Sequence, residues 1–151
     1  MSTQTAPQTT PQIGPYAGDI SCKDAFAILQ EDPNAILIDV RTTAEWNYVG
    51  HPDLNTIGHE AELIEWIGFP GGQLNPDFIN QVTGLGVKAD AQVLLLCRSG
   101  QRSAFAAAAL TAAGYQHCYN ISEGFEGPKD QSGHRNTVAG WRFDGLPWGQ
   151  G

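Results

Sequence analysis

Short apolar runs alternate with segments of helical periodicity along most of the chain. Residues 35–40 are apolar apart from Asp39, and Gln92 leads into the apolar run 93–96. Both runs have the length of a strand that is buried on both faces of a sheet. Residues 115–121 contain a further strand. Because such strands alternate with helical segments, the pattern predicts an α/β fold with a parallel sheet.

Helical periodicity or capping signals mark the segments between these strands. Ser21-x-x-Asp24 is a capping signal, and the apolar face that follows ends before Pro33. Residues 59–69 carry apolar side chains at helical spacing and are also expected to form a core-facing helix; these side chains are Leu63, Ile64, Trp66 and Ile67. A helix is predicted to start at Asn75-Pro76-Asp77 and to stop at residues 84–86, and another to run from Ser103 to Gly114.

Cys97 lies where the predicted strand 92–96 ends and the alanine-rich helix begins. Ligands of parallel sheets collect at the carboxyl ends of the strands, beside the unpaired amide hydrogens of the following helix. Those amides, together with Arg98 and Arg102, are expected to stabilise the thiolate form of Cys97 and make it a nucleophile. The alternative is a buried apolar cysteine, but such a residue gains nothing from two flanking arginines that are costly to bury.

The residues around Cys97 resemble the active-site loop of the rhodanese-like sulfurtransferases. The loop itself reads Cys97-Arg98-Ser99-Gly100-Gln101-Arg102. Upstream, Ile38-Asp39-Val40-Arg41 followed by Glu45-Trp46 and Gly50-His51 is similar to a second motif of that family. Downstream, residues 124–127 are separated by an insertion from Trp141 and Gly145-Leu146-Pro147, which resemble its closing motif. The resemblance spans residues 18–148, nearly the whole chain.

This resemblance implies a five-stranded parallel sheet with helices on both faces and a sulfur transfer that proceeds through a persulfide on Cys97. A small anionic donor of the thiosulfate or persulfide type would supply the sulfur. Cyanide or a thiol, on a small molecule or a protein, would accept it. The reaction needs no metal and no organic cofactor. The loop residues expected to hold the donor are Arg98, Ser99, Gly100, Gln101, Arg102 and Ser103.

Asp39, Arg41 and Glu45 are expected to support the loop rather than to react. Two interpretations of Asp39 and Arg41 stand at this stage. They either orient the backbone amides of the loop, as the resemblance implies, or form a local ion pair or a cap for a helix at residues 43–46. His51 precedes a proline and is interpreted as a hydrogen-bonding turn residue. Phe125 follows the last strand and is expected to form a wall of the pocket.

Two other functions are compatible with the same fold. Phosphatases and arsenate reductases related to rhodanese use loops with one residue more between cysteine and arginine than the four, 98–101, found here. The shorter ring is too tight for a tetrahedral oxyanion. A non-catalytic interaction module is the other alternative, and the presence of Cys97 argues against it.

Composition narrows the class of protein further. The chain has 151 residues and 41% hydrophobic residues, which suits one domain over residues 16–151. Its net charge of -8 argues against a nucleic-acid partner. Three cysteines without C-x-x-C spacing fit neither a disulfide framework nor a zinc site. Cys22 and Cys118 are interpreted as packing residues.

The ends and loops of the chain give weaker signals. Residues 1–15 have no charged side chain and no long apolar stretch, and are expected to be a disordered tail. No membrane partner is expected, and a cytoplasmic location is the prediction. The insertion at residues 127–140 carries Lys129, His134 and Arg135. It is interpreted either as a loop that recruits an anionic donor or acidic partner, or as a solvated surface loop.

Overall fold

Seven short strands and four α-helices form the part of the protein that the computed structural model describes, residues 13–68 and 71–150. In chain order they are β1 (Gly18–Ile20), α1 (Cys22–Glu31), β2 (Ile36–Asp39), α2 (Thr43–Tyr48), β3 (His51–Pro52), β4 (Glu62–Leu63), α3 (Phe78–Gly84), β5 (Gln92–Leu96), α4 (Gln101–Ala112), β6 (His117–Ile121) and β7 (Trp148–Gly149). A 3-10 turn covers Asn55–Ile57.

The two apolar runs become the centre of the sheet. Five strands pair in the order β1-β6-β5-β2-β4, and every pairing is parallel. Strand β5 lies in the middle, between β2 and β6, and its residues 93–96 are wholly buried. This confirms the predicted five-stranded parallel sheet. Strands β3 and β7 form a separate antiparallel pair.

Alternate residues of β5 pack into two cores on opposite faces of the sheet. Val93 and Leu95 lie in one core with side chains of α3 and α4, and Leu94 and Leu96 lie in the other with side chains of α1. Such burial stabilises a leucine by about 1.5–3 kcal/mol relative to an exposed one. The expectation of helices on both faces is therefore confirmed, and the carboxyl ends of the strands remain free to carry a site.

The helix predicted over residues 59–69 is absent from the described part of that segment. Residues 62–63 form the edge strand β4, and the backbone N–H groups of Ile64 and Trp66 donate to the carbonyl oxygens of Asp39 and Val40, at 3.1 Å each. Ile67 forms an isolated bridge with Leu74. The prediction was wrong because hydrogen bonds to β2 satisfy the backbone groups of this segment. Its partly buried apolar side chains, Ile64 and Trp66, pack against the core from beside an edge strand and not from a helix. Phe69 lies outside the described residues.

The other helices differ from prediction only at their ends. Helix α1 starts after Ser21, whose hydroxyl accepts from the Asp24 N–H at 3.0 Å, as predicted. Helix α3 begins at Phe78 because Asn75 forms a turn in which its Oδ1 accepts from the Asp77 N–H. Helix α4 begins at Gln101, so the loop after Cys97 is shorter than expected.

The predicted disordered tail lies mostly outside the described residues, which begin at Ile13. That expectation stays a prediction. Among the residues that the structure describes, no helix is long and apolar enough to cross a membrane.

Candidate active site

The sulfur of Cys97 is the centre of the site at the carboxyl end of β5. Cys97 is 1% exposed and follows Leu96 directly. Its Sγ accepts hydrogen bonds from the Gly100 N–H at 3.1 Å and from the Ser103 hydroxyl at 3.2 Å. Gly100 is the N-cap of α4 and Ser103 lies in its first turn, where the helix dipole also favours negative charge. Two hydrogen-bond donors and the N-terminal end of a helix thus face the sulfur.

Two glycines fix the shape of this loop. Gly100 has a φ of +98°, and a Cβ there would collide with the carbonyl oxygen of Ser122. Gly124 has a φ of +73°, and a Cβ there would collide with the carbonyl oxygen of Arg98. Both conformations favour glycine, and both contacts require it. The turn after β6 therefore packs directly on the loop.

Backbone hydrogen bonds reinforce that packing. The Phe125 N–H donates to the carbonyl oxygen of Cys97 at 2.8 Å, and the Glu126 N–H donates to that of Arg98 at 3.0 Å. These bonds connect the loop backbone to the turn after β6. The positions of the two groups that donate to Cys97 therefore depend on that turn.

A cavity of about 220 Å³ opens beside the sulfur. It is lined by Cys97, Arg98, Ser99, Gln101 and Arg102. Gly100 and Ser103 are buried and contact the sulfur without lining the cavity. The structure thus brings together all of the loop residues that the sequence singled out, in two groups: those around the cavity and those behind the sulfur.

The two arginines of the loop have different surroundings. Arg102 donates from Nη1 and Nη2 to the two carboxylate oxygens of Glu45, at 2.8 and 3.0 Å. Arg98 is exposed and forms no ion pair within residues 13–68 and 71–150. Of the two arginines at the cavity, Arg98 is therefore the one whose charge is not paired with a carboxylate in the described part of the chain.

Glu45 is held as an anion by this pairing. Burial by itself raises the pKa of Glu45, but the hydrogen bonds and charge of Arg102 outweigh it, and the pKa lies below its usual value. Burial lowers the pKa of Arg102, and Glu45 outweighs that effect and raises it. Both groups therefore stay charged at neutral pH.

Glu45 also belongs to the start of α2. Its carboxylate accepts from the N–H and hydroxyl of Thr42, and the Thr42 hydroxyl accepts from the Glu45 N–H. This reciprocal arrangement is a capping box. The carboxylate is thus fixed by its own helix as well as by Arg102.

Asp39 and Arg41 form a local ion pair below the loop. Both are 0% exposed, and Arg41 donates to Asp39 from Nε at 2.9 Å and from Nη2 at 2.7 Å. Arg41 also donates to the carbonyl oxygen of Gly50 at 2.7 Å. In the described part of the chain neither side chain bonds an amide of residues 98–103, and Thr42 caps α2. The geometry is that of the ion-pair interpretation.

Phe125 supports the site from the core and does not form a wall of the cavity. Its side chain is fully buried, with the Arg41 guanidinium 4.2 Å from its ring centroid and the Trp148 ring centroid at 6.1 Å. The turn at Gly124 directs the Phe125 backbone to Cys97 and the ring into the core beside α1. The sequence located the segment correctly, and the expected direction of the side chain was wrong.

The insertion at residues 127–140 is folded around Asp130. The carboxylate of Asp130 accepts from the Thr137 hydroxyl and from the N–H groups of His134 and Ser132, and these hydrogen bonds lower its pKa. Arg135 donates to the carbonyl oxygen of Gly127 at 2.8 Å. One of the three basic side chains is thus used within the insertion. His51 was predicted to be a turn residue and lies instead in strand β3, paired with Gly149 of β7. Its Nδ1 lies 3.1 Å from the carbonyl oxygen of Pro52.

Asn120 is a polar residue of the site that the sequence analysis missed. It is 3% exposed on β6, and its amide nitrogen donates to the carbonyl oxygen of Gly100 at 3.1 Å and to Asp19 at 3.0 Å. Its Oδ1 lies 2.5 Å from the Ser103 hydroxyl. Asn120 therefore contacts both residues that donate to Cys97. The signal was a polar side chain between Tyr119 and Ile121, near the carboxyl end of the last strand of the sheet.

The other two cysteines have the surroundings of packing residues. Cys22 is fully buried, and its thiol donates to the carbonyl oxygen of Gly124 at 3.3 Å. Burial raises the pKa of the Cys22 thiol, and the nearby carboxylates of Glu123 and Asp144 raise it further. Burial also raises the pKa of Cys118. Both thiols are therefore protonated and unreactive at neutral pH.

Comparison with known proteins gives the family. The model of the STR4 middle domain matches residues 17–151. An uncharacterized protein of Rickettsia conorii is 40% identical over 131 residues, which cover 86% of this chain and 95% of that protein. Rhodanese-like domain-containing protein 4 of Arabidopsis thaliana, a chloroplast protein, is 28% identical over 130 residues, which cover 85% of this chain and 25% of that protein.

Solved structures agree with this result. The crystal structure of Rv0390 from M. tuberculosis has a TM-score of 0.82 and 44% identity, and the match covers 91% of this chain and all of that chain. The polysulfide-sulfur transferase of Wolinella succinogenes has a TM-score of 0.60 and 24% identity over 87% of this chain and 77% of its own, and shares the fold. With the motifs at residues 38–51 and 97–103, these matches show that the chain belongs to the rhodanese-like family.

Proposed function

We propose that this protein is a sulfurtransferase that carries sulfur as a persulfide on Cys97. The donor is a small anionic compound with a sulfane sulfur, of the thiosulfate or persulfide type, and the acceptor is a thiol or cyanide. The observation that carries the proposal is the pair of hydrogen bonds to Cys97 Sγ, from Gly100 and Ser103, at the edge of a small cavity.

The first half of the reaction forms the persulfide. The Cys97 thiolate attacks the outer sulfur of thiosulfate, a new S–S bond forms, and the bond to the sulfonate sulfur breaks. The electron pair of that bond leaves with sulfite, which departs as a dianion, and the outer sulfur of the persulfide keeps one negative charge. The N–H of Gly100 and the hydroxyl of Ser103, which would stabilise the Cys97 thiolate, would also stabilise the persulfide anion.

The second half restores the enzyme. A thiolate acceptor attacks the outer sulfur, the Cys97–sulfur bond breaks, and Cys97 leaves as the thiolate. The acceptor departs as its own persulfide, or as thiocyanate when cyanide is the acceptor. No step requires an oxidant, a reductant or a proton from another side chain. Polysulfide-sulfur transfer, which names the Wolinella protein, is chemistry of the same kind on the same fold.

Intact mass spectrometry after incubation with thiosulfate tests this proposal. We expect one added sulfur atom on the wild-type protein and none on Cys97→Ser. Cys118→Ala is the matched control because Cys118 is buried in β6, and it should gain the sulfur as the wild type does. The proposal fails if neither thiosulfate nor a persulfide adds sulfur to the wild type, or if the Cys97→Ser protein still gains it.

A parallel assay with p-nitrophenyl phosphate distinguishes a sulfurtransferase from a phosphatase on the same fold. A sulfurtransferase with this short loop should release no phosphate from that compound. Release of phosphate that disappears in Cys97→Ser would instead support phosphatase chemistry.

A further inference from the structure

The two arginines at the Cys97 cavity differ in whether a carboxylate offsets their charge, and this difference affects which sulfur donors the cavity favours. Arg98 and Arg102 both line the cavity, but only Arg98 is without an ion pair among the described residues. Both terminal nitrogens of Arg102 are bonded to the Glu45 carboxylate. Each terminal nitrogen of Arg102 has a second N–H that can still bind a donor compound, but the positive charge of Arg102 is offset by Glu45.

Glu45 holds this position firmly. Its side chain is 19% exposed, and three groups donate to its carboxylate: the Arg102 guanidinium and the N–H and hydroxyl of Thr42. A partly buried ion pair of this kind is screened less by salt than a fully exposed pair. Glu45 does not line the cavity itself, but its negative charge stays fixed on the side chain of Arg102, which does.

The remaining charges balance before the donor arrives. In the proposed mechanism the Cys97 thiolate brings one negative charge to the cavity and Arg98 brings one positive charge, while the charge of Arg102 is offset by Glu45. A donor with two negative charges thus enters a cavity with no net positive charge left to receive it. A donor with one negative charge pays a smaller electrostatic penalty on entry.

We propose that Glu45 is a specificity-determining residue that selects sulfur donors of low charge. In this proposal, which rests on the proposed function, the site favours donors with one negative charge, such as hydropersulfides and thiosulfonates, over the thiosulfate dianion. Glu45 acts through Arg102 and does not touch the reacting sulfur.

Two donors that differ by one charge at the same sulfane sulfur provide the test. These are thiosulfate and methanethiosulfonate. With thiosulfate, Cys97 takes the outer sulfur and sulfite leaves. With methanethiosulfonate, Cys97 takes the equivalent sulfur and methanesulfinate leaves with the electron pair. The measured quantity is the ratio of kcat/KM for thiosulfate to that for methanethiosulfonate, with the same acceptor.

Glu45→Gln removes the charge and keeps an oxygen that can accept from Thr42. We expect the ratio to rise about tenfold, because Arg102 then contributes its full charge to the dianion. Arg98→Gln, at an exposed position, should lower the ratio. Glu65→Gln is the matched control: Glu65 accepts from the Thr43 N–H at 2.8 Å, contacts neither arginine, and should leave the ratio unchanged.

A structural role for Glu45 predicts a different result. If Glu45→Gln changes kcat/KM for both donors by the same factor, or leaves the ratio as in the wild type, Glu45 does not select by charge. A fall in the ratio would also overturn the proposal. If neither donor adds sulfur to Cys97 in the wild type, the proposed function itself has failed, and mass spectrometry distinguishes that case.

Discussion

Cys97 receives its two hydrogen bonds from groups that are themselves held by one side chain. Asn120 donates to the carbonyl oxygen of Gly100 and contacts the hydroxyl of Ser103. A hydroxyl has one proton, so Ser103 donates to Cys97 or to Asn120 at a given moment. A negative charge on the sulfur attracts that proton and favours the bond to Cys97. The loop is thus organised to respond to the charge of its nucleophile.

The charge of Glu45 predicts how stability depends on pH. Its pKa is lower in the folded protein than in the unfolded chain, where it is about 4.3. The ion pair therefore contributes its full stabilisation above that value and loses it as the pH falls through the folded value. We expect the wild type to be more stable than Glu45→Gln at neutral pH, by about 1 kcal/mol or less because solvent reaches the pair.

Denaturant unfolding of both proteins across the acid range measures this difference. It should shrink as the pH falls below about 4. A difference that stays constant with pH would show that the ionised carboxylate of Glu45 contributes no stability.

At the scale of elements, the turn after β6 and the loop after β5 form one unit. Gly124 lies against the carbonyl oxygen of Arg98, and the neighbouring N–H groups of Phe125 and Glu126 donate to the loop. The loop after a parallel strand is usually positioned by its own helix. Here a second strand end contributes as well, which fixes the donors to Cys97 more firmly.

Gly124→Ala tests this contact. The added methyl group meets the Arg98 carbonyl at a positive φ, so we expect a loss of more than about 2 kcal/mol of unfolding free energy and a slower transfer of sulfur to Cys97. Gly86→Ala is the control because Gly86 has a similar φ, +79°, with nothing within 4 Å of a Cβ. It should lose only the smaller backbone term and keep the transfer rate. Equal effects of both substitutions would contradict the role of the contact.

The failure at residues 59–69 is also a matter of elements. Ile64 and Trp66 pack against one core with Phe78, and a helix or an edge strand would bury such residues equally well. Periodicity alone does not separate the two over so short a segment. The deciding interactions are hydrogen bonds to β2, which lies more than twenty residues earlier in the sequence.

Over the whole molecule, the sequence predicted the sheet, its parallel direction and the location of Cys97. These features follow from local patterns: apolar runs, caps and a strand that leads into an alanine-rich helix. It did not predict the partners across the site, since Glu45 with Arg102 and Asn120 with Gly100 join residues distant along the chain. Such pairs depend on the packing of separate elements, and one sequence contains no direct signal for them.

The burial of the central strand β5 leads to a prediction about the free energy of unfolding. Leu95 is fully buried between β2 and β6 and packs on one core. Leu95→Ala should lower the free energy of unfolding by about 2–5 kcal/mol because it leaves a cavity in that core. Leu74→Ala, at a side chain that is 61% exposed, should change it by about 0.5 kcal/mol or less. Denaturant unfolding measures both, and equal losses would contradict the core assignment.

The capping box of α2 places Glu45 on a different stretch of the chain from the nucleophile and its two hydrogen-bond donors, which all lie within residues 97–103. Codons for glutamate and glutamine differ by a single base. If donor selection depends on that carboxylate, one point mutation in the gene changes which sulfur compound the protein prefers and leaves its reactive centre unchanged. Related proteins with identical cysteine loops then need not consume the same sulfur compound.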